Sequence, residues 1–163
     1  MEIAFIQCGG TIDKDYPKTR GGYGFEITNP ACEKILERLN PTFTYQVIPL
    51  FQKDSLDLTE HDRDKLAEVC NTINENYIIV THGTDTMIET AKHLSVIKTK
   101  TIILTGSMKP ERFKDADADV NLGVAVGAIS FVPKGIYIAM NGKVIPWEKA
   151  ERHPESGIFR EKK

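Results

Sequence analysis

Long hydrophobic runs are absent from this sequence of 163 residues. A membrane-spanning helix needs about 20 consecutive apolar residues, and the apolar stretches here span only a few, so no contact with a membrane is expected. Met1 is followed directly by Glu2 and a strand-like segment, which predicts no signal peptide. The length suits one domain with a sizeable core and is too short for two ordinary ones.

Cysteine is scarce: Cys8, Cys32 and Cys70 are the only three. Their odd number and wide spacing argue against a disulfide framework and against a zinc site, which needs paired ligands at short spacing. Cys8 falls in a predicted strand, Cys32 in the first turn of a predicted helix and Cys70 on a predicted buried helix face. We therefore expect a cytoplasmic protein with reduced thiols, no metal and no organic cofactor.

The net charge is only −2, because 21 Lys and Arg residues are scattered among 23 Asp and Glu residues. This composition gives no basic footprint for nucleic acid. Three motifs are also missing: the dinucleotide fingerprint G-x-G-x-x-G, the phosphate loop G-x-x-x-x-G-K-[ST] and the nucleophile elbow G-x-S-x-G. The sequence therefore predicts no nucleic-acid partner and none of those three enzyme classes.

The most informative stretch that is present is Val80–Met87, VTHGTDTM. It joins an apolar run to a helical pattern, and such strand-to-helix turns are where α/β folds place ligand groups. Thr84 and Asp85 are predicted at the first positions of the helix, where unpaired N–H groups attract anions. An aspartate there can also simply cap the helix. His82 is either a general base or a side chain that supports the turn by hydrogen bonding.

The order of elements predicts the fold. Apolar runs that are hydrophobic on both faces alternate with helical patterns, which is typical of a mostly parallel sheet covered on both sides. We predict a doubly wound, flavodoxin-like α/β fold in which residues 1–163 form a single domain. The predicted strands are Glu2–Gln7, Phe43–Phe51, Tyr77–Val80, Thr101–Leu104 and Ile136–Met140.

Helix signals accompany these strands. Asn29-Pro30 predicts a helix start with a capping side chain, and Thr59 with Asp62 predicts a capping box. Residues 117–130 predict a helix of small residues, in which Gly123 and Gly127 would allow close packing.

Polar residues follow four of the predicted strands. In a sheet with right-handed connections these loops open on one edge, so they can form a single crevice. The residues concerned are Gly9-Gly10-Thr11, Asp54-Ser55, Thr84-Asp85 and Ser107-Met108-Lys109.

Thr11 is a candidate nucleophile within that crevice. A threonine hydroxyl reacts poorly unless a neighbour removes its proton, and the alternative is an ordinary threonine in a turn after a strand. Cys8 is a second candidate nucleophile, although its position in the strand favours a place in the core.

Together the four loops resemble the bacterial-type L-asparaginase/glutaminase family. Asp119 and Asn121, in the small-residue helix, add to the likeness. The resemblance covers nearly the whole chain but only the amino-terminal catalytic domain of that family, without its smaller carboxy-terminal domain. The matching segments are Gly9-Gly10-Thr11-Ile12, Asp54-Ser55, His82-Gly83-Thr84-Asp85-Thr86 and Thr105-Gly106-Ser107-Met108-Lys109-Pro110.

The resemblance implies hydrolysis of L-asparagine to L-aspartate and ammonia through an acyl-threonine intermediate on Thr11. It implies that Thr84 is a second reactive threonine, that Asp85 binds the substrate's α-amino group and that Ser55 binds its α-carboxylate. Asp54, Gly83 and Ser107 are expected to line the substrate site. The family also uses a loop tyrosine that closes over the nucleophile, for which both Tyr16 and Tyr23 qualify.

Two departures from the family pattern have consequences. Leu56 stands where the family commonly has glutamine, so the preferred length of the substrate side chain is open and weak glutaminase activity is expected. The family pairs its motif aspartate with a lysine, whereas the count from the fifth strand reaches Arg152, with Lys149 nearby. Arginine can pair with Asp85 but does not give up its proton.

Three functions remain in competition. The first is the asparaginase-type amidohydrolase, and the second is a catalytically weakened amino-acid-binding or regulatory module of the same fold. The third is the asparaginase-like subunit of a tRNA-dependent amidotransferase, which the net charge and the lack of an appended domain disfavour. Because the site would lack its usual covering domain, we expect a homodimer or a higher homo-oligomer.

Overall fold

The computed structural model of the protein describes residues 1–16 and 24–162. The helices are α1 (Ala31–Leu39), α2 (Glu60–Thr72), α3 (Met87–Leu94) and α4 (Ala118–Ala128). The strands are β1 (Glu2–Gly9), β2 (Lys14–Asp15), β3 (Glu26–Ile27), β4 (Thr44–Lys53), β5 (Tyr77–Thr81), β6 (Thr101–Thr105), β7 (Gly135–Met140), β8 (Lys143–Pro146), β9 (Ala150–Arg152) and β10 (Phe159–Glu161). Short 3-10 helices span Thr11–Asp13, Ser55–Asp57 and Trp147–Lys149.

Six strands form the central sheet in the order β4-β1-β5-β6-β7-β8. The first five are parallel, and β8 runs antiparallel to β7. All five predicted strands exist, and the predicted doubly wound, mostly parallel α/β fold is confirmed. The prediction rested on strands that are apolar on both faces, and β1 is an example. Its Ile3 and Phe5 are fully buried on one face of the sheet and its Ile6 on the other.

The helices cover both faces of this sheet. Leu66 of α2 and Met87 of α3 belong to the apolar core on one face. Leu36 of α1 and Leu122 of α4 belong to the core on the other face. This arrangement leaves the carboxyl edge of the parallel strands for the loops that carry the polar motifs.

Two short antiparallel strand pairs lie outside the predicted strands. Strands β2 and β3 form one of them. Strands β9 and β10 pair antiparallel near the end of the chain. Strands of two or three residues are too short to leave a periodic pattern, so no sequence signal marks them.

Helix starts agree only in part with the predictions. The capping box of Thr59 and Asp62 at α2 is confirmed. The predicted cap of α1 by Asn29 is wrong, because the N–H of Ala31 donates instead to Asp13 Oδ1 at 2.7 Å. Helix α3 begins at Met87, so Thr84 and Asp85 precede it rather than occupy its first positions.

The expected packing role of the glycines in α4 is also wrong. A Cβ atom added at Gly123 or Gly127 would meet no atom within 4 Å. Neither glycine therefore faces a close neighbour.

In the described part of the chain, no helix has the length and apolarity needed to cross a membrane.

Candidate active site

The loops that follow β1, β4, β5 and β6 meet at the carboxyl edge of the sheet. The backbone of Gly10 lies so close to Gly83 that a Cβ at position 10 would clash with it. A Cβ at Gly83 would lie 2.6 Å from Ser55 Oγ, and one at Gly106 would clash with the carbonyl oxygen of His82. The predicted convergence of the four loops is therefore present in the structure.

The turn that carries Thr11 depends on two glycines in the left-handed region. Gly9 and Gly10 have φ values of 108° and 91°, which side chains other than hydrogen rarely tolerate. The N–H of Gly10 donates to Lys53 O at 3.0 Å, which ties the turn to the end of β4. Thr11 then opens a 3-10 helix that closes when the N–H of Asp13 donates to Gly10 O at 3.2 Å.

The loop after β5 brings Gly83, Thr84 and Asp85 to the same place. Thr84 is buried, whereas the Asp85 side chain is 44% exposed. Thr86 Oγ1 donates to the carbonyl oxygen of Ser55 at 2.8 Å, which fastens this loop to the one after β4. Thr84 follows Gly83, on which the Gly10 turn rests, so the two threonine-bearing loops are in contact.

His82 supports the loop after β5 through a hydrogen bond to its backbone. It is fully buried, with Nδ1 2.7 Å from the carbonyl oxygen of Gly83. Burial lowers the pKa of His82 to about 4, with a further contribution from the positive charge of Arg63. The imidazole is therefore neutral at pH 7 and donates from Nδ1, which agrees with the turn-supporting interpretation rather than with a general base.

Asp54 and Ser55 follow β4. Asp54 accepts a hydrogen bond from the N–H of Leu56 at 3.2 Å and pairs with Lys14 Nζ at 3.4 Å. Ser55 is buried, and its Oγ has no hydrogen-bond partner in the described part of the chain. Leu56 is 71% exposed. The loop therefore offers an unpaired buried hydroxyl next to an exposed apolar side chain.

The loop after β6 is held by a residue that the sequence reasoning missed. Ser107 is buried and donates from Oγ to Lys109 O. Asp117 accepts the N–H groups of Met108 at 3.0 Å and Lys109 at 3.1 Å. Asn121 also anchors the loop by donating to Gly106 O at 3.0 Å. Its place at the first position of the predicted small-residue helix was the available signal for Asp117.

Asp85 pairs with Arg152, as the residue count allowed. Arg152 Nη1 lies 3.1 Å from Asp85 Oδ1. Arg152 reaches this position from β9, and its Nε is buried without a partner among the described residues. Lys149 lies in the preceding 3-10 helix, and the described ion pair of Asp85 does not involve it.

Of the two candidate loop tyrosines, Tyr16 lies among the described residues. Tyr16 is 59% exposed. Its ring packs against Phe25, with ring centroids 5.2 Å apart, and the guanidinium of Arg112 lies 4.5 Å from the ring centroid. Arg112 also pairs with Asp15. Tyr23 lies outside the described residues.

The second residue missed from the sequence is Asp13. It is buried next to the Thr11 turn, and burial raises the pKa of its carboxyl to about 7. Its position two residues after the candidate nucleophile was the only sequence signal. No group of three or more metal-binding side chains occurs within residues 1–16 and 24–162.

Comparison with known proteins identifies the family. The family model "Asparaginase, N-terminal" matches residues 2–155. The chain belongs to the asparaginase family. Within that family it is 30% identical over 162 residues to the glutaminase-asparaginase of Acinetobacter glutaminasificans, covering 87% of this chain and 46% of that protein.

Other known proteins are similar to this chain in fold or over part of its sequence. The thermostable L-asparaginase from Thermococcus kodakarensis superposes with a TM-score of 0.85 at 23% identity, covering 99% of this chain and 51% of that one. A glutamyl-tRNA(Gln) amidotransferase subunit from Methanococcus maripaludis strain C5 is 32% identical over 99 residues, 60% of this chain and 22% of that protein. The chain thus spans about half the length, or less, of the relatives it matches.

Proposed function

We propose that this chain is an amidohydrolase that converts L-asparagine to L-aspartate and ammonia, with Thr11 as the nucleophile. The observation that carries the proposal is the contact of the Gly10 turn with Gly83, which places the Thr11 and Thr84 loops side by side. The proposal treats residues 1–163 as one amino-terminal-type catalytic domain. Family membership and the glutaminase-asparaginase relatives support it.

In the proposed reaction, Thr11 Oγ attacks the carbon of the substrate's side-chain amide. As the C–N bond breaks, the leaving nitrogen takes up the proton that the Thr11 hydroxyl gives up and departs as ammonia, and an ester to Thr11 remains. Water then attacks the ester carbon, which releases aspartate and restores the hydroxyl. Backbone N–H groups near Thr11 and Thr84 stabilise the oxyanion, each contribution being about 3 kcal/mol.

The other site residues bind the substrate in this proposal. Asp85 pairs with the α-ammonium group, and Ser55 donates its free hydroxyl to the α-carboxylate. Asp54, Gly83 and Ser107 shape the surrounding loops. Arg152 holds Asp85 but serves as no base, because arginine stays protonated at working pH. Tyr16 and Tyr23 both remain candidates for the loop tyrosine.

Ammonia release from L-asparagine and L-glutamine, with Thr11→Ala as the control, tests the proposal. We expect release from asparagine that vanishes in the variant, and weaker release from glutamine, because Leu56 offers no polar contact. Release that survives in Thr11→Ala would remove Thr11 from the mechanism. A cytoplasmic location belongs to the same proposal, and cell fractionation tests it.

A binding module is the second candidate, and the Asp85–Arg152 pair favours it because arginine cannot exchange a proton there. Calorimetry that shows tight binding of asparagine or aspartate without turnover would establish it. The amidotransferase relatives keep a third candidate open, for which co-purification with tRNA is the test.

A further inference from the structure

Arg152 has few polar contacts of its own to hold it beside Asp85. Its Nη1 lies 3.1 Å from Asp85 Oδ1, and its buried Nε has no partner in the described part of the chain. A Cβ atom added at Gly157 would lie 3.3 Å from Arg152 Nη2, so the guanidinium lies next to the turn between β9 and β10. The position of this guanidinium therefore depends on where the backbone of β9 and β10 lies.

Strands β9 and β10 form a two-stranded sheet of their own beside the central sheet. Phe159 is the residue opposite Arg152 in this pair. The Phe159 side chain is buried in the core that contains Leu66 and Met87, and its N–H donates to Asn141 Oδ1 at 2.9 Å. Phe159 therefore attaches the strand pair to the body of the protein directly across from Arg152.

Asn141 lies in the turn between β7 and β8 and connects Phe159 with the loop after β6. Its N–H donates to Asn121 Oδ1 at 3.1 Å. Asn121, on α4, donates from Nδ2 to Gly106 O at 3.0 Å. Two asparagine side chains thus link a loop of the candidate site to the strand that faces Arg152.

The turn explains only part of this choice of residue. Asn141 has a φ of 53° and is followed by Gly142 with a φ of 77°, and Asn-Gly is a common pair in tight hairpin turns. Glycine at position 141 would adopt this backbone without strain, but it would leave the Phe159 N–H without its acceptor. An unpaired backbone N–H on a buried residue costs stability. The turn therefore accounts for the left-handed backbone and not for the use of the Oδ1 atom.

We propose that Asn141 is a positioning residue for Arg152 and, through it, for Asp85. The Oδ1 atom of Asn141 fixes β10 at Phe159, β10 holds its partner strand β9, and β9 presents the guanidinium to Asp85. The inference deepens the proposed function and rests on Asp85 as the ligand of the substrate's α-ammonium group. Loss of this acceptor should weaken recognition of the ammonium group and leave the chemistry at Thr11 intact.

The test compares L-asparagine with succinamic acid, which has the same side-chain amide and carboxylate but no α-amino group. Asn141→Gly keeps the left-handed backbone and removes the acceptor, whereas Asn141→Asp is matched in size and keeps an acceptor oxygen. In Asn141→Gly we expect kcat/KM for asparagine to fall about tenfold, mainly through KM, and kcat/KM for succinamic acid to stay within about twofold of wild type. Asn141→Asp should retain the wild-type preference for asparagine. A fall of equal size on both substrates in Asn141→Gly, or no fall on asparagine, would overturn the inference.

Hydrogen exchange gives a readout that needs no activity. The N–H of His153, next to Arg152, donates to Ile158 O at 2.8 Å across the strand pair. We expect it to exchange faster in Asn141→Gly than in wild type or Asn141→Asp, and equal rates in all three proteins would overturn the inference. If wild type releases ammonia from neither substrate, the proposed function fails, and the exchange rates alone decide whether Asn141 holds the strand of Arg152.

Discussion

At the scale of single residues, the contact between Arg152 and Asp85 is open to a direct test. Both side chains are partly exposed, at 30% and 44%, so the pair contributes at most about 1 kcal/mol to stability. Its larger effect should be on the site, because Asp85 needs a fixed orientation to bind an ammonium group. Arg152→Ala should lower kcat/KM about tenfold, and Arg152→Lys should retain most of it.

Arg160→Ala is the matched control, because Arg160 lies on the partner strand β10 and pairs with Glu151. Wild-type kinetics in Arg152→Ala would show that Asp85 orients itself without a counter-charge.

A second prediction at this scale concerns stability and pH. Folding raises the pKa of Asp13 from 3.8 to about 7, so its burial costs no stability at low pH and lowers the free energy of unfolding progressively as pH rises from about 4 to about 7. The difference corresponds to at most about 4 kcal/mol. Asp13→Asn should therefore be more stable than wild type at pH 8, and the gain should shrink toward pH 4.

His82 changes stability in the opposite direction. Its pKa falls from 6.5 to about 4 on folding, so stability is lost as pH falls through that range. In wild type, the contributions of Asp13 and His82 to the pH dependence of stability nearly cancel between pH 4 and 6.5. In Asp13→Asn only the contribution of His82 remains, so the free energy of unfolding should fall as pH falls through this range. Urea unfolding at several pH values measures both effects. A constant stability difference between the two proteins at all pH values would contradict the prediction.

At the scale of elements, the close contact between the loops after β1 and β5 should be intolerant of a methyl group. Gly10→Ala would place a side chain at a φ of 91° and against Gly83, so we expect a loss of at least about 2 kcal/mol and of activity. Gly123→Ala in α4, where the added atom meets nothing, should instead stabilise by about 0.5–1 kcal/mol. Thermal unfolding of both variants compares them, and equal melting temperatures would be inconsistent with the close contact.

The helices and strands also show how much of the fold could be predicted from the sequence. The five parallel strands were predictable because each is a run rich in apolar residues, and β1, β5 and β6 are buried on both faces. The Thr59 capping box was predictable because its pattern is local. The α1 cap was missed because Asp13 is 18 residues from Ala31 in sequence. Long-range side-chain contacts of this kind leave no local pattern.

The candidate site was likewise predictable only in part. The convergence of Thr11, Ser55 and Thr84 followed from parallel topology alone. The partner of Asp85 depended on β9, a strand of three residues that no periodicity marks. The place of Asp117 behind the Ser107 loop likewise depended on tertiary contacts.

At the scale of the whole molecule, the candidate site is open to solvent at Asp85, whose side chain is 44% exposed. A second copy of the chain could cover such a site, so we expect a dimer or larger homo-oligomer in solution. Light scattering at micromolar concentration should give a mass of at least twice the 18.3 kDa of one chain. A monomeric mass would refute this expectation.

The two edge strands of the sheet constrain how such copies can meet. Pro49 lies in β4 and Pro146 in β8, the outermost strands on either side. Prolines in edge strands discourage another strand from adding to the ladder, which is a common route to aggregation and fibre growth. Edge-to-edge pairing of copies of this chain is thereby disfavoured, so we expect an assembly to form through the helices or the loop edge.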